Sequence, residues 1–205
     1  MSNILSLTKN NLDEVFSITN NILLSGGVII YPTDTIYGIG CDATNLNAIN
    51  KIYSLKKRDP LKPMLMLINS FEMMNKYISN ISPITEEIIH KYWPGALTIL
   101  FESNNSLPQN LISSDGKVAF RFPNNEFCNK LVSNLNTPIV STSVNISDKQ
   151  SLNSFIEIKS IFDGKVDLLI EGYFENNISS TIIDGTITPP KILRQGDLII
   201  DLEEL

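Results

Sequence analysis

Residues 26–40 read Gly-Gly-Val-Ile-Ile-Tyr-Pro-Thr-Asp-Thr-Ile-Tyr-Gly-Ile-Gly, and this stretch does most to decide the class of fold. Its segment Val28-Ile29-Ile30-Tyr31 is continuously apolar and partly β-branched, which predicts a strand buried on both faces. Pro32 ends that strand, because proline cannot donate the next ladder hydrogen bond. The hydroxyls and glycines of Thr33 to Gly40 then predict a loop that allows close backbone approach to a ligand, although an ordinary polar turn has the same composition.

Similar patterns recur along the rest of the chain. Short apolar runs predict strands at 64–68, 97–101, 118–122, 138–140, 166–170, 181–183, 192–194 and 198–200. Helical spacing of apolar residues predicts helices at 12–23, 47–55, 71–78, 83–92, 126–135 and 155–162. Strands interleaved with helices indicate an α/β fold (α+β in some schemes) built on a mixed sheet, and residues 1–205 are expected to form a single domain.

The charge balance limits the classes of partner. The chain has 16 basic and 22 acidic residues, a net charge of −6, which argues against broad electrostatic capture of duplex nucleic acid or an anionic membrane. The apolar runs are far shorter than the roughly 20 residues of a membrane span. The polar N-terminal residues lack the pattern of a signal peptide, so we expect a cytoplasmic protein in which Cys41 and Cys128 are reduced.

The same composition removes several chemistries. His90 is the single histidine, so a histidine-cluster zinc site is impossible, and two isolated cysteines do not supply a cysteine-rich one. A Ser-His-Asp triad would have to use His90, which lies in a predicted helix and is expected to be a surface or structural residue. We therefore predict no protein-bound metal site.

Arginine is scarce, and its positions are informative. Only Arg58, Arg121 and Arg194 are arginines among the 16 basic residues. A guanidinium offers a planar fork that binds phosphate or carboxylate through two parallel hydrogen bonds, although it also serves ordinary surface ion pairs. Strand alternation places Arg121 beside Ala119 on the face opposite Phe120. There it either pairs with a structural carboxylate or holds a ligand anion, whereas Arg194 lies at a predicted strand end, where sheets present ligands.

Two further segments carry candidate binding groups. The first gathers five basic residues against one acid and leads through two prolines that restrain the loop; these residues are Lys51, Lys56, Lys57, Arg58 and Lys62, with Asp59. It fits either a solvated face or a polyphosphate site. The second, Ser141 to Ser147, offers hydroxyls and the Asn145 amide after a strand, as either a helix cap or a phosphate or amino-acid site. Neither a P-loop nor a G-x-G-x-x-G fingerprint is present.

Taken together and in order, these segments resemble the YrdC-like family of threonylcarbamoyl-adenylate synthases. The resemblance runs from about Gly26 to Asp197. It is carried by seven pieces: 31–40, 56–58 with 62–63, 93–98 (Trp-Pro-Gly-Ala-Leu-Thr), 118–123 (Val-Ala-Phe-Arg-Phe-Pro), 141–145 (Ser-Thr-Ser-Val-Asn), 180–184 (Ser-Thr-Ile-Ile-Asp) and 192–196 (Ile-Leu-Arg-Gln-Gly). Val144 and Asp34 stand where many or some members have alanine and glutamate, respectively.

The resemblance implies a twisted mixed β-sheet flanked by helices, with a deep basic cavity. It also implies conversion of L-threonine, bicarbonate and ATP to threonylcarbamoyl-AMP and pyrophosphate, with Mg²⁺ accompanying ATP. Separate transferase proteins would then use the product to form N6-threonylcarbamoyladenosine at position 37 of tRNA. Carried over by position, Lys56, Arg58, Ser143, Asn145 and Arg194 would bind ATP, with Lys56, Arg58 and Arg194 catalytic, and Thr33, Arg121, Ser141 and Thr181 would bind threonine.

Three alternatives remain open from the sequence. A paralogue of unknown reaction shares much of the pattern, but Asn145 favours the synthase. A related domain of hydrogenase maturation handles carbamoyl-adenylate, but we expect no accessory domains here, because the chain resembles the short form without an extra C-terminal domain. An RNA-binding module would use the basic loop without catalysis; the acidic net charge and the single Trp93 give it little support, and direct tRNA binding stays an open question.

Overall fold

The computed structural model describes residues 1–147, 150–173 and 178–202, and its centre is a mixed sheet. The strands that the described residues form are β1 (Asn3–Ser6), β2 (Ile29–Pro32), β3 (Tyr37–Asp42), β4 (Met66–Leu67), β5 (Leu97–Glu102), β6 (Lys117–Arg121), β7 (Ile139–Ser143), β8 (Leu168–Glu171), β9 (Thr181–Asp184) and β10 (Lys191–Arg194). Their order across the sheet is β1-β8-β2-β3-β7-β4-β6-β5-β9-β10. The pairs β1/β8, β2/β8, β4/β6 and β5/β9 are parallel, and the other neighbours are antiparallel.

Helices flank this twisted sheet, which confirms the predicted α/β architecture. They are α1 (Leu12–Leu24), α2 (Leu46–Lys56), α3 (Phe71–Asn75), α4 (Pro83–Tyr92), α5 (Glu126–Leu135) and α6 (Phe155–Phe162). The bounds of α4, α5 and α6 are those predicted. Ser82 and Asn125 explain two of these starts, because their side chains accept from the backbone N–H three residues on. Helix α3 is shorter than predicted, since Ile78 leaves the helix and forms a β-bridge with Ser103.

The sheet differs from the prediction at several places. Strand β3 was predicted as part of a glycine-containing loop, but it is a central strand between β2 and β7. Gly40 permits this, because a Cβ there would lie 2.3 Å from the Val140 carbonyl oxygen. Strand β1 was not predicted, because its apolar residues Ile4 and Leu5 are flanked by polar Asn3 and Ser6. The strand predicted at 198–200 does not form; the Leu198 carbonyl instead accepts from the side chains of Thr181 and Gln195.

The hydrophobic core lies on both faces of the central strands. The residues Ile29, Ile30 and Tyr31 of β2 are completely buried, as the continuous apolar run predicted. On one face α1 packs beside α5, where the Asn134 amide donates to the Asn20 side chain at 2.8 Å. A cavity opens beside these strands, and it is lined by side chains of β5, β6, β7, β9 and β10 and by the β2–β3 turn.

Candidate functional site

One cavity of about 420 Å³ collects side chains from widely separated parts of the chain, a volume within the usual range for small-molecule sites. Its walls come from the β2–β3 turn, the segment after α2, β6, β7, and the β9 and β10 region. Of the sequence-predicted site residues, the ones lining it are Thr33, Arg58, Arg121, Ser141, Ser143 and Arg194. All three arginines of the chain therefore meet at one cavity.

Arg121 is the most buried of these arginines, with 4% of its surface exposed at the end of β6. Its Nε donates to the Gly95 carbonyl oxygen at 3.0 Å and its Nη1 to Thr35 Oγ1 at 2.7 Å. Its Nη2 lies 2.7 Å from Asp34 Oδ1, a close ion pair that lacks hydrogen-bond geometry. A guanidinium has five N–H groups, so this fixed side chain retains donors for a ligand carboxylate.

Hydroxyl groups beside Arg121 are also held in place. Thr33 Oγ1 donates to the Ile36 carbonyl oxygen at 2.7 Å and accepts from the backbone N–H of Thr35, which fixes the β2–β3 turn. Ser141 Oγ accepts from the buried Tyr31 hydroxyl at 3.0 Å. Burial raises the pKa of Tyr31 well above its ordinary value, so this phenol stays a donor. Ser141 lies within β7, not in a loop after it as predicted from the sequence.

Arg194 approaches the cavity from the edge strand β10. Its Nη2 donates to the Ser180 carbonyl oxygen at 2.7 Å, and Ser180 Oγ forms a buried hydrogen bond of 2.8 Å with Thr98 Oγ1. Partial burial of the guanidinium, followed by the nearby Arg121 charge, lowers the pKa of Arg194. Since two guanidinium groups repel each other across this cavity, an anion placed between them would be favoured.

Arg58 lies in the segment that follows α2. Its Nε donates to the Lys62 carbonyl oxygen at 2.7 Å and its Nη2 to the Pro63 carbonyl oxygen at 2.9 Å. These bonds fold the basic segment around the guanidinium. The proline-restrained loop expected from the sequence thus has a specific hydrogen-bonded form.

Lys56 and Asn145 stand behind the cavity wall. The Lys56 side chain is almost fully buried, with 1% of the residue exposed, and its Nζ donates to the Ser143 carbonyl oxygen, the Asn145 carbonyl oxygen and Asn145 Oδ1. Burial, with a contribution from the Arg58 charge, lowers the pKa of Lys56 to about 7. Asn145 Oδ1 also accepts from Ser143 Oγ at 2.7 Å.

Thr181 is directed away from the cavity. It is completely buried, and its Oγ1 bonds to the Leu198 carbonyl oxygen and accepts from the Gly196 N–H at 2.9 Å. Its neighbours Ser180 and Ile182 line the cavity instead, because successive side chains of a strand alternate between faces.

Lys117 lines the cavity and was not identified from the sequence. Its Nζ forms ion pairs with Asp184 at 2.8 Å and Asp115 at 3.2 Å. The hydrogen bond to Asp184 raises the pKa of Lys117. Burial raises the pKa of Asp184, but the hydrogen bonds from Lys117 and Thr186 have the larger combined effect, so the pKa of Asp184 is lowered. The sequence held one indication of this role: Lys117 is four residues from Arg121 in β6, so both side chains lie on the same face of the strand.

Other sequence expectations have a definite place in the structure. His90 is exposed in the last turn of α4 and packs edge-on against Phe71. Cys41 and Cys128 are buried free thiols whose pKa values are raised by burial. Across 1–147, 150–173 and 178–202 there is no group of three or more His, Cys, Asp or Glu side chains arranged to hold a metal ion. No helix in those ranges is long and apolar enough to cross a membrane.

Mixed sheet and cavity together define a class of protein: an α/β domain in which three arginines and several hydroxyl side chains line one cavity. Comparison with known proteins then identifies the lineage. Residues 21–196 match the Sua5/YciO/YrdC family model, which carries the description "Telomere recombination". The chain belongs to this family.

Individual relatives agree with that assignment. A threonylcarbamoyl-AMP synthase of Pyrococcus abyssi is 33% identical over 189 residues, which cover 92% of this chain and 55% of that protein. The structure of P. abyssi Sua5 complexed with L-threonine matches with a TM-score of 0.86 at 30% identity, covering 96% of this chain and 57% of that one. Escherichia coli YciO matches with a TM-score of 0.86 at 25% identity, covering 96% of both chains. The chain thus spans little more than half the length of the synthase that it matches.

Proposed function

We propose that this chain is an L-threonylcarbamoyladenylate synthase, a nucleotidyltransferase that converts L-threonine, bicarbonate and ATP to threonylcarbamoyl-AMP and pyrophosphate. The observation that carries the proposal is the convergence of Arg58, Arg121 and Arg194 on one hydroxyl-lined cavity. It is supported by the resemblance to a protein named threonylcarbamoyl-AMP synthase and to a Sua5 structure that holds L-threonine.

The reaction requires positioning of anions more than a protein nucleophile. The threonine amine and bicarbonate condense to a carbamate with loss of water. A carbamate oxygen then attacks the α-phosphorus, and the bond from that phosphorus to the bridging oxygen breaks to release pyrophosphate. Preorganised cations and hydroxyls lower the barrier by orienting the two anions and stabilising charge on the phosphoryl oxygens.

We assign a separate role to each part of the cavity. Arg121, with Thr33 and Ser141 beside it, binds the threonine carboxylate and amino-acid backbone. Arg194 binds near the α-phosphate from the opposite wall, and Arg58 neutralises the outer phosphates. Lys56, Asn145 and Thr181 act from behind the surface, since their polar atoms bond to other parts of the protein.

The residues fit Mg²⁺ that enters with ATP. The cavity has hydroxyl oxygens, whereas its nearest carboxylates, Asp34 and Asp184, are paired with Arg121 and Lys117. Mg²⁺ commonly keeps several waters and binds substrate phosphates, and a serine or threonine hydroxyl ligates it in P-loop sites, so a hydroxyl beside ATP can serve as a protein ligand. When bound, the ion would neutralise phosphate charge, and Ser143 is the candidate protein ligand.

The product is expected to supply the tRNA modification N6-threonylcarbamoyladenosine at position 37 through separate transferase proteins. Its chemistry is compatible with this step: the acyl adenylate is a mixed anhydride, which is activated for transfer of the threonylcarbamoyl group to a nucleophile such as an adenine amine.

Mass spectrometry of a complete reaction tests the proposal. Purified protein is incubated with ATP, Mg²⁺, threonine and ¹³C-bicarbonate, and the expected product is threonylcarbamoyl-AMP that carries the label, with pyrophosphate in equal amount. Reactions lacking threonine or bicarbonate are the controls. Release of ADP, or of AMP without the labelled adduct, would contradict the proposal, as would RNA binding without turnover.

A further inference from the structure

The surroundings of Lys56 fix the orientation of the Asn145 side chain. Lys56 Nζ has three oxygen neighbours, the carbonyl oxygens of Ser143 and Asn145 and the Oδ1 atom of Asn145 at 2.7 Å. An ammonium group has three N–H donors and no acceptor, so its three protons match these three oxygens. The Asn145 amide must then turn its oxygen, not its nitrogen, toward Lys56.

This orientation determines which way the Ser143 hydroxyl points. Ser143 Oγ lies 2.7 Å from the same Asn145 Oδ1. Because a carbonyl oxygen only accepts, the hydroxyl must donate its single proton to it. The remaining capacity of Ser143 Oγ is its lone pairs, and Ser143 lines the cavity. Lys56, Asn145 and Ser143 therefore form a relay, called the Lys56 relay below, that makes this hydroxyl an acceptor.

An acceptor at this position is unsuited to a phosphate oxygen, which also only accepts. A divalent cation accompanying the triphosphate is suited to it, since Mg²⁺ prefers oxygen ligands and serine hydroxyls ligate it beside nucleotide phosphates elsewhere. We propose that the Lys56 relay presents Ser143 Oγ as the protein ligand of the divalent cation bound to ATP, an inference that rests on the proposed function.

Lys56 is a positioning residue in this arrangement, because it acts through Asn145 and stays behind the wall. The main chain supports the same coupling: the Ser147 N–H donates to the Lys56 carbonyl oxygen at 2.8 Å, which ties the end of α2 to the turn after β7. The charged group that bears on Lys56 is Arg58, two residues along the chain. The two residues thus hold adjoining parts of the nucleotide site.

Replacement of the ligand atom by sulfur tests the proposal. ATP binding is measured by titration calorimetry in three series, with no metal, with Mg²⁺ and with Cd²⁺, each without threonine or bicarbonate. Wild type should bind ATP more tightly with Mg²⁺. Ser143→Cys should lose about tenfold or more of that Mg²⁺ enhancement and recover it with Cd²⁺, because thiolates select soft metals. Ser143→Ala should lose the enhancement with both metals.

Matched variants separate the relay from a general disturbance. Ser151→Ala removes another hydroxyl from the cavity lining and should keep the Mg²⁺ enhancement. Lys56→Met should reduce the enhancement about tenfold while metal-free ATP binding changes less. Thermal unfolding of each variant verifies that it is folded.

Several results would overturn the proposal. One is a Ser143→Cys protein that remains as selective for Mg²⁺ as wild type; another is a loss of threonine affinity with an unchanged metal effect, which would make the hydroxyl an acceptor for the substrate ammonium. Product formation by a wild type whose ATP binding ignores metal would refute this inference and leave the proposed function standing. Absence of ATP binding under all conditions would refute both.

Discussion

At the scale of single residues, the guanidinium of Arg121 is set apart by the number of its fixed contacts. Three partners hold it at the end of β6: Gly95 from the turn before β5, and Asp34 and Thr35 from the β2–β3 turn. Such a side chain is prepared for a carboxylate before the ligand arrives. Lysine at this position would keep the charge but lose the fork.

Arg121→Lys is therefore expected to impair threonine use selectively. Loss of a charge-assisted pair of hydrogen bonds costs about 1.5–3 kcal/mol, which corresponds to a rise of roughly 10- to 150-fold in the KM for threonine. ATP affinity should change by less than about threefold, because the lost hydrogen bonds are those made to threonine. Steady-state kinetics with each substrate varied, together with ATP titration, measure the two effects. Equal losses for threonine and ATP would place Arg121 outside the threonine site.

Lys56 gives a prediction for the pH dependence of stability. Its folded-state pKa, about 7, is below the ordinary 10.5, so between these values the unfolded chain holds a proton that the native protein lacks. Stability contributed by this group is therefore lowest below pH 7 and rises as the pH increases toward 10. Relative to Lys56→Met, wild type should gain stability from pH 7 to 9.

Urea unfolding of both proteins across that range measures the difference. The comparison is necessary because burial raises the pKa values of Cys41 and Cys128. These thiols make the stability of both proteins fall as the pH rises, which is opposite to the effect of Lys56. A constant difference between wild type and Lys56→Met would show that Lys56 does not titrate there.

Individual site residues were predictable to different degrees. Arginine was rare enough for its three positions to stand out, and all three reach the cavity. Lys117 could not stand out among many lysines. The direction of Thr181 depends on the register of β9 against β5, which the sequence does not reveal, and the same holds for the burial of Lys56 behind Ser143.

At the scale of elements, the approach of β10 to the start of β9 depends on Gly196. A Cβ at this residue would lie 2.2 Å from the Ser179 carbonyl oxygen and 2.5 Å from that of Ser180. These are backbone atoms, so no side-chain rotation relieves the overlap. The same Ser180 carbonyl accepts from Arg194, so the glycine and the arginine position depend on each other.

Gly196→Ala should consequently destabilise the fold by about 1–3 kcal/mol, as overpacking does, and weaken ATP binding by displacing Arg194. Gly164→Ala is the control: its φ of +75° strains alanine, but nothing lies within 4 Å of the added Cβ and the residue is remote from the cavity lining. It should lower stability and leave ATP affinity unchanged. Denaturant unfolding and calorimetry test both; equal ATP affinity in the two variants would refute the link.

Element boundaries were predictable where capping chemistry is local. Ser82 and Asn125 mark the starts of α4 and α5, because an N-cap side chain accepts a hydrogen bond from the backbone only three residues further on. Strand β3 was missed for the opposite reason. Its glycines Gly38 and Gly40 are explained by Ser141 and Val140 of β7, about a hundred residues away, so only the assembled sheet shows why a side chain is excluded there.

At the scale of the whole molecule, the cavity joins distant segments, and ligand binding should therefore stabilise the entire fold. ATP with Mg²⁺ at 100 times its Kd should add about 2.7 kcal/mol. For a domain of this size, that corresponds to a rise in Tm of roughly 5–10 °C. Differential scanning fluorimetry measures it, and threonine should add a further increment that Arg121→Lys loses. No shift with saturating ATP would contradict nucleotide binding at this cavity.

The parallel pairing of β1 with β8 has a consequence for biosynthesis. Asn3 lies opposite Leu168, and Ile29 of β2 shares that same partner. On a ribosome that adds about 5–20 residues per second, β1 is synthesised roughly 8–33 seconds before β8, because about 165 residues separate the two strands. During this interval the nascent chain carries the wholly apolar β2 segment with one side unpaired, and such a segment is what chaperones shield from premature association.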